Sequence, residues 1–134
     1  MKVKSSKHFS ESELQCKCGN CTFEGMDANF MDLLEAVRTD PDWNMPMKVS
    51  SAYRCPEHNS AVSSTGMTGP HTSGKAIDIQ VSGADAHLLL GVAMGYDFSG
   101  IGVAQKGPHG SRFIHLDTLV PEETKGPRPW IWSY

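Results

Sequence analysis

The sequence predicts an α+β domain spanning residues 1–134, a small antiparallel sheet with helices on one face and a groove on the other. Three observations predict it. Residues 75–81 and 112–118 alternate apolar and polar side chains, as half-buried strands do. Residues 27–38 carry apolar side chains at helical spacing, and residues 84–95 read as a helix apolar enough to cover a sheet. In both alternating stretches the polar positions hold metal-competent groups, which leaves the second sheet face open rather than packed. At 134 residues the chain fits one core with little room for a second domain.

The elements follow in order. The opening MKVKSSKHFSESEL is basic but has no apolar stretch behind it, so no secretory signal is expected, and the chain is expected in the cytosol of its producer. Ser10 to Glu13 reads S-x-x-E, a capping box that opens a helical turn. Asp27 caps a helix in which Phe30, Leu33, Leu34 and Val37 recur at i, i+3, i+4 and i+7. Arg38 suits its C-terminal end, and DPDWNMP stops it. Residues 47–53 read as a strand, and Pro56 opens a short helix at the favoured first position. A glycine-, serine- and threonine-rich loop covers 63–69. In 75–81, Ile77, Ile79 and Val81 face one way, and Ala76, Asp78 and Gln80 the other. Residues 101–104 and 112–118 are two further strands joined by QKGPHGS, the second with Ile114 and Leu116 opposite Phe113, His115 and Asp117. Trp130, Trp132 and Tyr134 alternate as an edge strand closing the core, with an aromatic wall for sugar or peptide as the alternative.

Composition narrows the class. With 39% hydrophobic and 20% charged residues, a net charge of −3 and a pI near 6.0, the chain offers no basic footprint for nucleic acid. No apolar run approaches the roughly 20 residues that cross a bilayer, so no membrane partner is expected. A monomer is expected.

The chemistry concentrates on His71, Asp78 and His115. Aspartate is depleted in strands, yet Asp78 sits between Ile77 and Ile79, and His115 between Ile114 and Leu116. An ionised group there is costly unless something pairs with it, and a divalent cation is an economical partner. A catalytic zinc site takes three such ligands and leaves a fourth position for water. Four cysteines stand apart from this set. Cys16, Cys18 and Cys21 form C-x-C-x-x-C, and Cys55 lies far downstream. They could hold a second, structural zinc ion, but the C-x-C spacing departs from paired C-x-x-C, and a disulfide needs an oxidising compartment. Reduced, partly buried thiols are the favoured reading.

HTSGKAID, from His71 to Asp78, resembles the H-x-x-G-x-A-x-D signature of zinc D-alanyl-D-alanine carboxypeptidases and phage L-alanyl-D-glutamate endopeptidases. VSSAYRCPEHN resembles that family's S-G-Y-R-x-x-x-x-N segment, and GIGV, FIHLD and RPWIWSY follow in the family's order. The likeness runs from about residue 8 to the C-terminus.

The resemblance implies a peptidase that cuts a peptide bond of the peptidoglycan stem. It would trim D-alanine or cut internally, with Zn2+ on His71, Asp78 and His115 activating water. It implies a phage or prophage lytic role with the stem peptide as partner. Arg54 matches the family arginine that would hold a substrate carboxylate or carbonyl. Gly74 allows the turn between ligands, Ala76 is small on the groove face, and Ser73 would bind substrate or cap its turn.

The pattern departs in one place. The slots where relatives carry a general base hold Phe113 and Arg112. Asp117 is the first candidate for that role or for a carboxylate that orients a ligand histidine, and His109 is the second. His8, His58 and His87 read as structural or surface residues. Gly69-Pro70-His71 lacks the serine of the family's S-x-H. The missing base favours an alternative function, a catalytically inactive zinc-binding recognition domain of the same fold. A plain α+β binding module is the third reading.

Overall fold

The computed structural model describes residues 1–134. Its elements are β1 (Lys2–Val3), α1 (Glu11–Leu14), β2 (Met26–Asp27), α2 (Ala28–Arg38), β3 (Lys48–Ser51), α3 (Pro56–Val62), β4 (Ala76–Gln80), α4 (Gly83–Ala93), β5 (Gly100–Ala104), β6 (Phe113–Asp117) and β7 (Trp130–Ser133). Short 3₁₀ turns lie at Gly66–Thr68, Pro70–Ser73, His109–Ser111 and Pro121–Glu123. The fold is α+β, as the sequence predicts.

Local chemistry explains the helix starts. The Ser10 hydroxyl accepts from the Glu13 amide at 3.3 Å and the Glu13 carboxylate accepts from the Ser10 amide at 2.9 Å, completing the capping box of α1. Asp27 Oδ2 accepts from the Phe30 amide at 3.0 Å and starts α2. Pro56 occupies the first turn of α3.

The main sheet runs β3-β4-β6-β5-β7. The first three pairings are antiparallel, but β7 lies parallel to β5, so the sheet is mixed rather than wholly antiparallel. After β6 the chain passes over the start of β5. Ser99 donates its amide to the Asp117 carbonyl at 3.0 Å and accepts from the Trp130 amide at 2.8 Å. The last strand therefore enters beside β5 and runs in the same direction. A two-stranded antiparallel sheet of β1 and β2, which the sequence did not suggest, lies apart.

One sheet face is the core. Ile77, Ile79, Ile101, Ile114 and Leu116 are buried there with Phe30, Leu34 and Val37 of α2 and Leu89 and Ala93 of α4. Burying an aliphatic side chain of this size contributes about 1.5–3 kcal/mol, so this layer fixes the register of the inner strands. That register aligns the opposite face in rows. Ser51 opposes Asp78, Asp78 opposes His115, His115 opposes Gly102, and Gly102 opposes Trp132. The row beside it pairs Ala76 with Asp117 and Asp117 with Gly100.

Candidate metal centre

Each of the three groups reaches the open face by a different local device. His71 sits in the turn Pro70–Ser73, which Gly74 ends with a left-handed backbone, φ +75°. That conformation suits glycine and lets the chain enter β4 at once. Asp78 and His115 face each other across β4 and β6. All three are buried, and their ligand atoms lie within 4.8 Å of one another.

The hydrogen-bond partners set which ring nitrogen faces the centre. The Ala52 carbonyl can only accept, so His71 Nδ1, at 2.7 Å, donates to it and Nε2 is the ring nitrogen turned to the centre. That Nε2 lies 3.2 Å from Asp78 Oδ1. Asp117 Oδ2 lies 2.7 Å from His115 Nε2, leaving Nδ1 as the inward atom, 2.9 Å from the same Asp78 oxygen. Ala52 is free to serve because the ladder of β3 breaks at Val49/Ser51 and the chain beyond it bonds elsewhere. Tyr53 donates its amide to Leu14 and Arg54 donates to the His71 carbonyl, at 3.0 and 3.1 Å.

The charges fit a cation. His115 has both ring nitrogens against carboxylate oxygens, so in a metal-free chain it must be doubly protonated. Burial opposes that charge, but the bonds to Asp117 and Asp78 outweigh it and raise its pKa. Burial also pushes the Asp78 carboxyl up, yet His115 and His71 overcome it and hold that carboxyl well below the usual range. Two imidazoles and a carboxylate converge as a catalytic zinc site requires. Zinc–ligand bonds of about 2.0–2.1 Å place tetrahedral donors about 3.3 Å apart, close to the 2.9 and 3.2 Å observed. His71, Asp78 and His115 could hold the ion with little rearrangement.

The three groups line a cavity of about 560 Å³ together with Arg54, Phe113, Trp132 and Tyr134. Arg54 Nη2 lies 3.6 Å from Asp78 Oδ2. Ser51 accepts from its Nε at 2.9 Å, and Asn59 Oδ1 accepts from Nη1 at 3.0 Å. Trp132 packs at a tilt against His115, with ring centroids 5.1 Å apart, and Phe113 and Tyr134 pack at 5.0 Å. The closing aromatics Trp132 and Tyr134 thus form a cavity wall rather than part of the core. Partial burial and the Asp78 charge raise the Tyr134 phenol pKa, so the hydroxyl stays protonated.

Three sequence candidates fall outside the cavity. Asp117 has no exposed surface and sits behind His115. Arg128 donates to it from Nε and Nη2, at 3.0 and 2.8 Å. Burial pushes the Asp117 carboxyl up, but the His115 and Arg128 bonds bring it down to about 2. His109 lines a different cavity with Trp43, Met45 and Asp85. The Ser73 hydroxyl donates to Pro70 O at 2.6 Å and accepts from the Lys75 amide at 3.0 Å, which caps its own turn.

Sequence reasoning missed Asn59 and Arg128. Asn59 is fully buried and holds Arg54, and its place in the Y-R-x-x-x-x-N segment was the available signal. Arg128 is drawn to Asp117 only by the return of the chain along β5. GIGV also gains a reason. A Cβ on Gly100 would sit 2.3 Å from Asp117 Oδ1, and one on Gly102 would sit 2.8 Å from the Trp132 ring. At Gly69 a Cβ would meet Thr65 Oγ1 at 2.0 Å, so the serine of S-x-H has no space here.

Comparison with known proteins agrees with this geometry. The family model described as Peptidase M15 matches residues 7–117, most of the chain. No curated protein matches.

Proposed function

Because the chain belongs to the peptidase M15 family of zinc-dependent metallopeptidases, we propose that it hydrolyses a peptide bond in the peptidoglycan stem. The observation that carries this reading is the convergence of His71, Asp78 and His115 on the floor of a cavity that Arg54 also faces. Bound zinc supplies Lewis acidity and lowers the pKa of its water to roughly 7.

The chain's own residues do the rest. His71, Asp78 and His115 would hold the ion. Ser51 and Asn59 fix the Arg54 guanidinium, whose planar fork orients a substrate carboxylate or carbonyl. The Tyr134 phenol donates a hydrogen bond to substrate, and Trp132 and Phe113 close the groove around it. Asp117 is a positioning residue that holds the Nε2 proton of His115, and Arg128 keeps Asp117 ionised. A single domain of this kind acts as a monomer on the stem peptide and suits a phage or prophage lytic role.

A second reading, a zinc-binding recognition domain without turnover, is favoured by one observation. No carboxylate or imidazole other than the three ligand groups lines the cavity. Digestion of purified peptidoglycan, with fragments weighed by mass spectrometry, separates the two. Release of D-alanine or of cut stems, lost in His71→Ala, supports hydrolysis. Intact stems with zinc-loaded protein would leave recognition as the function.

A further inference from the structure

A second cluster lies outside the cavity. Cys16 Sγ is 3.7 Å from Cys55 Sγ, Cys55 Sγ is 3.8 Å from Cys18 Sγ, and all four cysteine sulfurs lie within 4.8 Å of one another. None is paired. We propose that Cys16, Cys18, Cys21 and Cys55 bind a structural zinc ion as four thiolates, independently of the reading of the His/Asp centre.

The distances discriminate between the options for four neighbouring sulfurs. A disulfide requires sulfurs about 2.05 Å apart. A tetrahedral zinc with bonds of about 2.3 Å has sulfur–sulfur edges of about 3.8 Å. The observed 3.7 and 3.8 Å match the tetrahedron edge. The unusual C-x-C spacing is reconciled in space. Gly19, at φ +76°, turns the chain between Cys18 and Cys21, while Cys16 reaches Cys55 across 39 residues.

Backbone donors point at the sulfurs as thiolates require. Cys55 donates its amide to Cys16 Sγ at 3.3 Å, His58 donates to Cys55 Sγ at 3.4 Å, and Asn20 donates to Cys18 Sγ at 3.5 Å. Such donors spread the charge of a metal-bound sulfur and fix its direction. Four protein ligands leave no open position, which marks a structural rather than a catalytic ion. Loading displaces the four thiol protons and leaves a centre of net charge −2.

The site has a structural task. Residues 15–25, between α1 and β2, contribute no helix or strand. The ion would staple this segment to Cys55, the neighbour of Arg54. Arg54 in turn donates its amide to the His71 carbonyl.

Metal counting tests the proposal on the full chain. Wild type loaded with Zn2+ and desalted should carry two ions. His71→Ala/His115→Ala should keep one, and Cys18→Ser/Cys21→Ser should also keep one. Cobalt(II) loaded into His71→Ala/His115→Ala should show the intense thiolate-to-cobalt charge-transfer band and the strong visible bands of four-coordinate sulfur. Should the cysteine variant not fold, wild type titrated with an organomercurial should release one zinc as four thiols react. A single zinc in wild type that is lost in His71→Ala/His115→Ala, no charge-transfer band with cobalt, or thiols that react without releasing zinc would overturn the proposal. Loss of the His/Asp ion alone would leave it standing and sink the other reading.

Discussion

Asp117→Asn separates a positioning carboxylate from a general base. In the wild type, Asp117 accepts from His115 Nε2 on one side and from both Arg128 nitrogens on the other. An asparagine of the same shape has one acceptor oxygen. If its amide nitrogen turns to His115, Nε2 must accept and the proton moves to Nδ1, the atom that faces Asp78 and the metal. If instead its oxygen serves His115, the amide nitrogen meets Arg128, a donor against a donor, and the buried guanidinium loses its counter-charge. Loss of such an outer-shell partner lowers metal affinity by about 10–100-fold, or about 1.4–2.7 kcal/mol. We expect Asp117→Asn to weaken zinc binding by that factor in chelator competition, and to recover part of its turnover when zinc is raised to saturation. Unchanged zinc affinity with turnover abolished at saturation would refute the reasoning and return Asp117 to the role of base.

Two further outcomes follow from the same geometry. Gly100→Ala drives a methyl into the Asp117 carboxylate and should destabilise the fold by about 1–3 kcal/mol, with zinc affinity falling alongside; an unshifted thermal midpoint and unaltered affinity would contradict it. Zinc affinity should rise with pH below the raised pKa of His115, by about tenfold per pH unit for each proton displaced. The metal-free protein behaves in the opposite sense. The stability that protonated His115 contributes is full below the unfolded histidine pKa and lost as pH rises through the folded value. Thermal melts in chelator against pH, beside zinc titrations at the same pH values, read both signs.

Much of this was legible because strands advertise themselves by period. The alternation of 75–81 and 112–118 put Asp78 and His115 on one face, and the observed register pairs them directly. The helices were equally plain, since Asp27, Ser10 and Pro56 mark their starts by chemistry that acts within a few residues. What escaped depends on contacts distant in sequence. The two-residue strands β1 and β2 are too short to show a period. The parallel direction of β7 follows from how the 118–129 connection crosses the start of β5, which no local pattern encodes. The sequence left Asp117 open between a base and a carboxylate that orients a ligand histidine, and the Arg128 contact that bears on the choice is distant, as is the packing that sets His109 at another cavity. The approach of Cys55 to Cys16 and Cys18 also joins residues far apart in sequence, which spacing along the chain does not show.

The division of labour across the sheet has a consequence for how such a protein can change. The three groups at the cavity floor are held by the inner strands β4 and β6 and the turn before β4, where slipping one residue would turn the core inside out. Arg54 follows the edge strand β3, Trp132 lies on the edge strand β7 and Tyr134 follows it, so exchange of these side chains leaves the inner register in place. Directed evolution that randomises the margins alone should retarget the protein to new peptides while its chemistry stays intact.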